Sequence, residues 1–566
     1  MRTRVAAMFS ASASVGYLPS MPIKFHEPEL QFGAVREVDG ASVTIIAESL
    51  SRKHAGIEYA VELGSFVLLA SPQSDLIATV SAIRMSEVTE KTALVERKLV
   101  ICTLVGYLRN GTTFERGIER YPTVGSRAHL MTADALNAMF TSTEQTLDIG
   151  DRCQRGGGKE QVVIDKMFGR HTAVLGTSGS GKSWTVASLL QSAMARLPHT
   201  HIVFMDLHDE YRTAFPEKFE RLGRTVRHIS AAQLRIPHWC LNSDELEALF
   251  ISRETTASNQ SALLKSLIKE LRVPAGVSAE LTEAMISVDT PVYFSFGKFL
   301  DKLRQLDAEM VPGAKAGTEK QGQFNGKLSN LVTRMETRYE DPRYQFLFAN
   351  EDNPNVSFEQ TLALLFGANG SVQMTVIDLS GLPSEVLSVI VGVLCRLAFE
   401  YKYWDKDPNL LPLTLVLEEA HNYLPRTDEA SHRVCLDRVE RIAKEGRKYG
   451  VNMVVVSQRP SEVSETVLSQ CANFIVLRLT NPSDQAYVRR LLPDFLAVAV
   501  DMLPYLRTGE AVLSGEAVEI PTRVRITRPD PTPRSNDVRY REAWTSGLPA
   551  EYSPAEVVNR WRRRVR

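Results

Sequence analysis

The stretch GTSGSGKS, at residues 176–183, fits the pattern G-x-x-x-x-G-K-S. A short apolar run, His171–Leu175, precedes it directly, and a helical pattern begins at Trp184. Glycines let backbone N–H groups turn inward around phosphate oxygens, and the N-terminus of the following helix adds a partial positive charge. The sequence therefore predicts a phosphate-binding loop between a strand and a helix of an α/β sheet.

The loop and the start of the helix supply the predicted contacts to a nucleotide. Lys182 can reach the β- and γ-phosphates, and the hydroxyl of Ser183 can hold Mg²⁺. A Gly/Ser loop that is merely flexible is the alternative, and the flanking strand and helix argue against it. The predicted nucleotide-binding residues are Gly176, Thr177, Ser178, Gly179, Ser180, Gly181, Lys182, Ser183 and Trp184.

A pair of carboxylates follows a second apolar strand, Leu413–Leu417. The C-terminal edge of such a strand faces the nucleotide in open α/β sheets. We predict that Glu418 holds the metal ion together with Ser183, and that Glu419 polarises the attacking water as a general base. Many P-loop enzymes carry Asp at the first position, so the metal role of Glu418 stays open. An acidic pair in solvent is the alternative.

Two other strand ends carry polar residues that we add to the predicted site. Asp206 follows the apolar run 202–205, and Gln458 follows the run 451–456. A carboxamide at a neighbouring strand end can sense the γ-phosphate and orient water, as Gln does in GTPases. The alternatives are a loop cap for Asp206 and an ordinary strand-end hydrogen bond for Gln458.

A cationic stretch, residues 431–449, precedes the apolar run 451–456 and contains Arg447. A solvated helix face is the bland interpretation. The functional one is that Arg447 enters the nucleotide site of a neighbouring subunit, where an arginine finger stabilises the charge on the transferred phosphoryl group. Such an arrangement requires a closed ring of subunits.

The chain of 566 residues is long enough for several domains. Short strand-like runs fill residues 1–145 and suggest a small β-barrel. Strands alternate with helices over 146–526, and a helical insertion at about 245–365 interrupts them. Residues 527–566 form an Arg-rich C-terminal extension.

The composition excludes disordered and fibrous classes, with 44% hydrophobic and 23% charged residues. The formal net charge of −1 means that any contact with nucleic acid must use local basic patches. Six cysteines without a C-x-x-C pair indicate buried thiols in a reducing cytosol, and we expect a cytoplasmic protein. No apolar run reaches the roughly 20 residues that a membrane span needs, so no membrane partner is expected.

Taken together, the motifs resemble the HerA family of hexameric ATPases, within the wider group of FtsK-like translocases. The similarity covers most of residues 160–526. One departure is Asp209, where the family pattern D-P-H-G-E-Y usually has Gly, which puts the local turn geometry in question. The stretches that carry the resemblance are Arg170–His171, Gly176–Ser183, Asp206–Tyr211, Ile236–Trp239, Asp378–Pro383, Glu418–Pro425, Arg441–Gly450 and Ser457–Pro460.

The resemblance implies a RecA-like P-loop ATPase domain that uses ATP and Mg²⁺ and follows a small N-terminal β-barrel. It implies a homo-hexamer that moves double-stranded DNA through a central pore. A partner nuclease or effector enzyme would dock on the barrel, in DNA end processing or in defence against phage. It also implies Arg170 as a cis arginine at the phosphates and Arg447 as the trans one.

Two further questions stay open from the sequence. The first is whether the ring is mainly a motor or an ATP-gated scaffold that activates a partner enzyme, such as a nuclease or a sirtuin-type NAD hydrolase, with little translocation of its own. The second is where DNA binds: the basic, Gly-rich residues 311–327 fit a pore loop, and an ordinary solvent loop is an equal alternative.

Overall fold

We describe a computed structural model of the chain. It describes residues 25–563 apart from 26, 41, 73, 91–92, 112, 143, 154–156, 252–256, 279–280, 315–316, 350–356, 368–369, 408, 428–431, 493–499, 536–538 and 550. The chain divides into two compact units, Met1–Thr141 with Gln154–Gly158 and Ser142–Cys153 with Lys159–Arg566. In the described part, no helix combines the length and apolar character that crossing a membrane requires.

The first unit is a β-sheet with its own apolar core. Its elements are β1 (Gln31–Asp39), β2 (Ser42–Ala47), β3 (Ser51–His54), β4 (Ile57–Ala60), β5 (Phe66–Leu69), β6 (Leu76–Glu90), β7 (Ala93–Arg109), β8 (Thr113–Arg116), β9 (Arg127–Leu130) and α1 (Ala133–Met139). The main sheet has the order β2-β1-β9-β5-β6-β7-β8, and β2 also pairs with β7. The pairings of six strands thus form a closed circuit. The assignment of residues 1–145 to a barrel domain of the HerA type stays a prediction.

The second unit is built on a sheet of twelve strands with the order β11-β10-β23-β22-β21-β12-β20-β19-β13-β18-β15-β14. Its strands are β10 (Thr146–Arg152), β11 (Lys159–Val163), β12 (Thr172–Leu175), β13 (Ile202–Asp206), β14 (Lys218–Phe219), β15 (Arg224–Ile229), β18 (Met374–Asp378), β19 (Leu413–Leu417), β20 (Val451–Ser457), β21 (Asn473–Val476), β22 (Glu510–Gly515) and β23 (Thr522–Ile526). The middle of the sheet, from β21 to β15, is parallel throughout.

Helices cover both faces of this sheet, so its central strands are buried on both sides. The α-helices are α2 (Ile164–Phe168), α3 (Lys182–Arg196), α4 (Ser243–Phe250), α5 (Ala257–Ser278), α6 (Phe296–Asp307), α7 (Ser329–Glu340), α8 (Gln345–Phe348), α9 (Phe358–Phe366), α10 (Ser384–Tyr403), α11 (Arg433–Glu445), α12 (Glu465–Ser469), α13 (Pro482–Leu491), α14 (Tyr540–Ser546) and α15 (Pro554–Arg563). Successive residues of β12, Ala173 and Val174, enter two different apolar cores, as the period of a strand requires.

The segment between β15 and β18 is mainly helical, from α4 to α9, and it holds one short hairpin of β16 (Met310–Pro312) and β17 (Glu319–Gln321). This agrees with the helical character predicted for residues 245–365, and the α/β P-loop fold class is confirmed. The parallel direction of the central strands has one decisive consequence. It places all their C-terminal ends at the same edge of the sheet, which we call the C-terminal edge, and all their N-terminal ends at the opposite edge.

Candidate active site

The phosphate loop lies at the C-terminal edge, between Leu175 at the end of β12 and Lys182 at the start of α3. Gly181 caps the helix with φ 103°, and a Cβ placed there would lie 3.1 Å from the backbone nitrogen of Gly509. A side chain at residue 181 would therefore meet both backbone strain and a close neighbour. Glycine at residue 181 therefore lets the loop turn directly into α3, so that the N–H groups of the loop lie near the N-terminus of the helix.

Two distant segments brace the loop from one side. The backbone N–H and the hydroxyl of Thr177 both donate to the carbonyl of Arg478, at 2.9 and 3.0 Å. The N–H of Gly509 donates to the carbonyl of Ser180 at 3.0 Å. The loop is thus held in place by the residues that follow β21 and those that precede β22. A loop fixed in this way need not be ordered by the ligand.

Lys182 is buried, with 8% of its surface exposed. Burial lowers the pKa of its ammonium group, and the carboxylates of Glu419, Glu418 and Glu210 act in the opposite direction. The cation therefore lies among acidic groups from two different strands. These carboxylates favour the charged ammonium group, which is the form that binds phosphate oxygens.

Glu418 is almost completely buried directly after β19, and its Oε2 accepts the backbone N–H of Leu207 at 3.1 Å. Burial raises the pKa of its carboxyl group well above the ordinary value, and the charges of Asp206, Glu210 and Glu419 raise it further. Several carboxyl groups thus share one water-poor space. Their mutual repulsion would be relieved by a bound cation.

Glu419 has left-handed backbone angles, φ 47° and ψ 46°, which are uncommon for a residue with a side chain. Its Oε2 lies 3.3 Å from Nδ1 of His421, and that nitrogen is 3.3 Å from the hydroxyl of Ser457 at the end of β20. Burial lowers the pKa of His421, which favours the neutral imidazole. The strained turn and the imidazole together fix the direction of the Glu419 carboxylate.

Asp206 is buried and caps the turn that follows β13. Its Oδ1 accepts the N–H groups of His208 at 3.2 Å and Glu210 at 3.3 Å, and its Oδ2 accepts the N–H of Tyr211 at 3.0 Å. Burial raises its pKa to about 6 against these hydrogen bonds. Asp209 adopts φ 55° in this turn, so it keeps the left-handed conformation that Gly readily provides.

The turn presents Glu210, a residue that the sequence analysis did not assign to the site. Glu210 Oε2 accepts a hydrogen bond from the hydroxyl of Ser183 at 3.1 Å. His421 was also missed as a site residue. Both belong to stretches that carried the family resemblance, 206–211 and 418–425, but spacing alone does not reveal which of those side chains meet.

Gln458 lies next to the start of the phosphate loop. The residue before it, Ser457, pairs with Leu175, and its carbonyl accepts the N–H of Gly176 at 3.2 Å. The side chain of Gln458 is half-buried. The structure therefore places Gln458 at the same edge as Lys182, and its role at the γ-phosphate stays a prediction.

The two arginines lie at the other edge of the sheet. Arg447 is exposed and precedes β20, whose seven residues span about 20 Å to the phosphate loop. Arg170 precedes β12, and its Nε donates to Glu516 at 3.0 Å. Gly169, the residue before Arg170, and Arg447 line the same cavity of about 560 Å³, so the two arginines lie at the same edge of the sheet. Arg170 is thus not brought to the loop of its own chain, and a cis role at the phosphates is not supported.

The oxygen donors at the site fit a magnesium ion. No group of three or more His, Cys, Asp or Glu residues is arranged as a metal site among the residues described. Magnesium, however, usually binds through one or two protein oxygens together with substrate phosphates and water. Ser183, Glu210 and Glu418 supply hard oxygens. Burial and then the neighbouring carboxylates raise the pKa of Glu418, and a divalent ion would offset the charge of these carboxylates.

A phosphate loop, a buried lysine and an acidic pair after a parallel strand of the same sheet, with β20 between that strand and β12, define the class of P-loop ATPases. The family comparison narrows this class. Residues 148–398 match the model of the "Helicase HerA, central domain", and residues 394–536 match that of the "Helicase HerA-like C-terminal" region. The chain belongs to the HerA family, and it is an ATP-hydrolysing enzyme.

Curated relatives agree with this assignment. The DNA double-strand break repair helicase HerA of Sulfolobus acidocaldarius is 25% identical over 441 residues, which cover 77% of this chain and 80% of that protein. The helicase of the same name from Pyrococcus furiosus is 27% identical over 425 residues, 67% of this chain and 69% of that one. The solved VirB4 structure of Thermoanaerobacter pseudethanolicus is more distant, with 16% identity, a TM-score of 0.46, and coverage of 71% and 100%.

Proposed function

We propose that the chain forms a hexameric ring that uses ATP hydrolysis to move double-stranded DNA, with each active site shared between two neighbouring copies. The observation that carries this proposal is the separation of the site residues. Lys182 and Glu419 lie at the C-terminal edge of the sheet, whereas the exposed Arg447 lies at the opposite edge, about 20 Å away along β20. A head-to-tail ring places the second edge of one copy against the first edge of the next.

The residues of one chain have separate tasks in hydrolysis. The loop N–H groups and Lys182 bind the triphosphate. Ser183, Glu210 and Glu418 would hold a magnesium ion, whose positive charge would offset the charge of the phosphates. As the oxygen of the attacking water bonds to the γ-phosphorus, Glu419 accepts a proton from that water. At the same time, the bond between the γ-phosphorus and the β,γ-bridging oxygen breaks. Gln458, beside the start of the loop, orients that water.

The neighbouring copy completes the site. Charge gathers on the phosphoryl oxygens in the transition state, and a guanidinium from outside the chain stabilises it without any rearrangement of the loop. An arginine that enters the site of a neighbouring copy must be exposed on the isolated chain, and Arg447 is exposed. Arg170 lies at the same edge, so the ring could bring it to the same interface.

The hairpin of β16 and β17 is the proposed DNA contact. Glu319, Lys320 and Gln321 are exposed on β17, and Lys327 is exposed in the loop that follows. Lys315, the other cation noted in this loop, lies outside the described residues. Lysines on a glycine-rich hairpin can bind phosphates without reading bases, as a motor on DNA of any sequence requires.

A complementation assay tests the shared site. Lys182→Ala and Arg447→Ala are each expected to abolish ATPase activity. Rings assembled from both variants should regain activity, because about a quarter of random interfaces unite an intact loop with an intact arginine. Lys448→Ala, a neighbouring exposed cation, is the matched control and should stay active. Absence of recovery in rings shown by mass to contain both variants would contradict the shared site.

The motor itself needs a second measurement. Long duplex DNA should raise the ATPase rate, and Lys320→Ala with Lys327→Ala should weaken that rise while leaving the basal rate intact. An ATPase rate indifferent to duplex DNA would instead favour the scaffold function. The partner nuclease or effector enzyme on the N-terminal barrel stays a prediction.

A further inference from the structure

The chain after β23 crosses the nucleotide end of the second unit. We call residues 527–534 the C-terminal strap. The N–H of Asp530 donates to Oε1 of Gln191 on α3 at 2.9 Å, and Nε2 of Gln191 donates to the carbonyl of Pro531 at 2.8 Å. The N–H of Arg534 donates to the carbonyl of Glu210 at 2.8 Å. The strap is therefore fastened both to the phosphate-loop helix and to the turn that carries Glu210.

The strap brings one arginine onto an aromatic ring at the phosphate loop. The guanidinium carbon of Arg528 lies 4.9 Å from the ring centroid of Trp184, the residue that directly follows Ser183. Trp184 is half-buried, and Arg528 is exposed. The guanidinium thus lies over the indole ring, while the side chain of Arg528 remains exposed to solvent.

The order of the phosphates indicates what this surface meets. Lys182 binds the β- and γ-phosphates, so the α-phosphate follows at the first turn of α3. The ribose and base must then leave the loop beyond Ser183, on the side of Trp184. A flat cation resting on an aromatic ring is a surface on which a nucleobase stacks, because guanidinium groups pair with π-faces.

We propose that Arg528 and Trp184 together form the platform for the nucleotide base, so that the C-terminal strap completes the nucleotide site and favours purine triphosphates. This inference rests on the proposed binding of a triphosphate at the loop. A two-ring base overlaps the guanidinium more fully than a one-ring base does, and the preference for purines follows from that overlap. Arg528 is a specificity-determining residue and has no part in the bond that breaks.

Kinetics of the full chain with Arg528→Ala test this role. The KM for ATP should rise about five- to tenfold, the range of a lost stacking contact, while kcat changes less than about twofold. The KM for CTP should change less than that for ATP. Arg528→Lys should share most of the rise, because an ammonium group keeps the charge but lacks the planar face. Arg525→Ala, an exposed arginine on β23, is the matched control and should behave as wild type.

Inorganic tripolyphosphate, which has no base, separates this role from simpler ones. Its inhibition constant should be the same for wild type and Arg528→Ala. An equal loss for tripolyphosphate and ATP would make Arg528 a phosphate contact and overturn the platform. An unchanged KM for ATP with a lowered melting temperature in Arg528→Ala would show that the contact between Arg528 and Trp184 only stabilises the fold. This result would also overturn the platform. Failure of the wild type to bind either ligand would instead count against the proposed function.

Discussion

The substitution Glu419→Gln probes the role of the general base with little disturbance of shape. Glutamine has nearly the same volume and leaves the turn at φ 47° as it is. The change removes the group that accepts the proton of the attacking water. General-base catalysis contributes about 10²–10⁴ in rate, which corresponds to about 2.7–5.5 kcal/mol in the barrier. We therefore expect kcat to fall at least about a hundredfold.

The same substitution should make the protein more stable. Among the residues described, Glu419 Oε2 is buried and accepts no hydrogen bond, although Nδ1 of His421 lies 3.3 Å away, and the charge of Glu419 adds to the repulsion that raises the pKa of Glu418. A buried unpaired polar atom costs about 1–3 kcal/mol, and a neutral carboxamide should recover part of that cost, about 1 kcal/mol. Lower activity with higher stability is the signature of a residue kept for catalysis.

The assay is phosphate release at saturating ATP with linear duplex DNA, together with calorimetric nucleotide affinity and urea unfolding. Glu465→Gln is the control, since this carboxylate is 61% exposed and pairs only loosely with Arg426 at 3.4 Å. A kcat for Glu419→Gln within about fivefold of the wild type would refute the assignment of the base. Loss of both activity and stability would indicate a structural role instead.

Two further predictions concern the loop and the turn that faces it. Gly181→Ala should lose nucleotide affinity, measured by calorimetry, and about 1–2 kcal/mol of stability, measured by unfolding, because residue 181 has φ 103° and lies close to Gly509. The control Gly223→Ala changes a residue at φ 61° in open space, so it should lose stability but keep its nucleotide affinity. The folded-state pKa of Asp206, about 6, lies above its ordinary 3.8, so without nucleotide or Mg²⁺ the stability should fall as pH rises from about 4 to about 6. Asp206→Asn should lack that fall, at most about 3 kcal/mol, in urea unfolding at pH 4 and pH 7; an unchanged slope would contradict it.

The position of Arg170 does not support the cis role that the resemblance implied. Arg170 precedes β12 and the phosphate loop follows it, so the direction of one strand already separates them. A strand of four residues spans about 13 Å, and the ion pair with Glu516 holds Arg170 at the far edge. The sequence contained this information, because the two ends of a buried strand cannot reach the same ligand.

Local patterns in the sequence were sufficient for the loop, the strand and the helix that flank it, and the position of the acidic pair after β19. These features depend on neighbouring residues: glycines at positive φ, an apolar run buried on both faces, and carboxylates at a strand end. Only the tertiary structure decided which distant side chains meet. Glu210 and Ser183, which form a hydrogen bond, are 27 positions apart in the sequence. Arg528 and Trp184, which are in contact, lie near opposite ends of the sequence of the second unit. Such contacts follow from the order and direction of twelve strands, which no local spacing encodes.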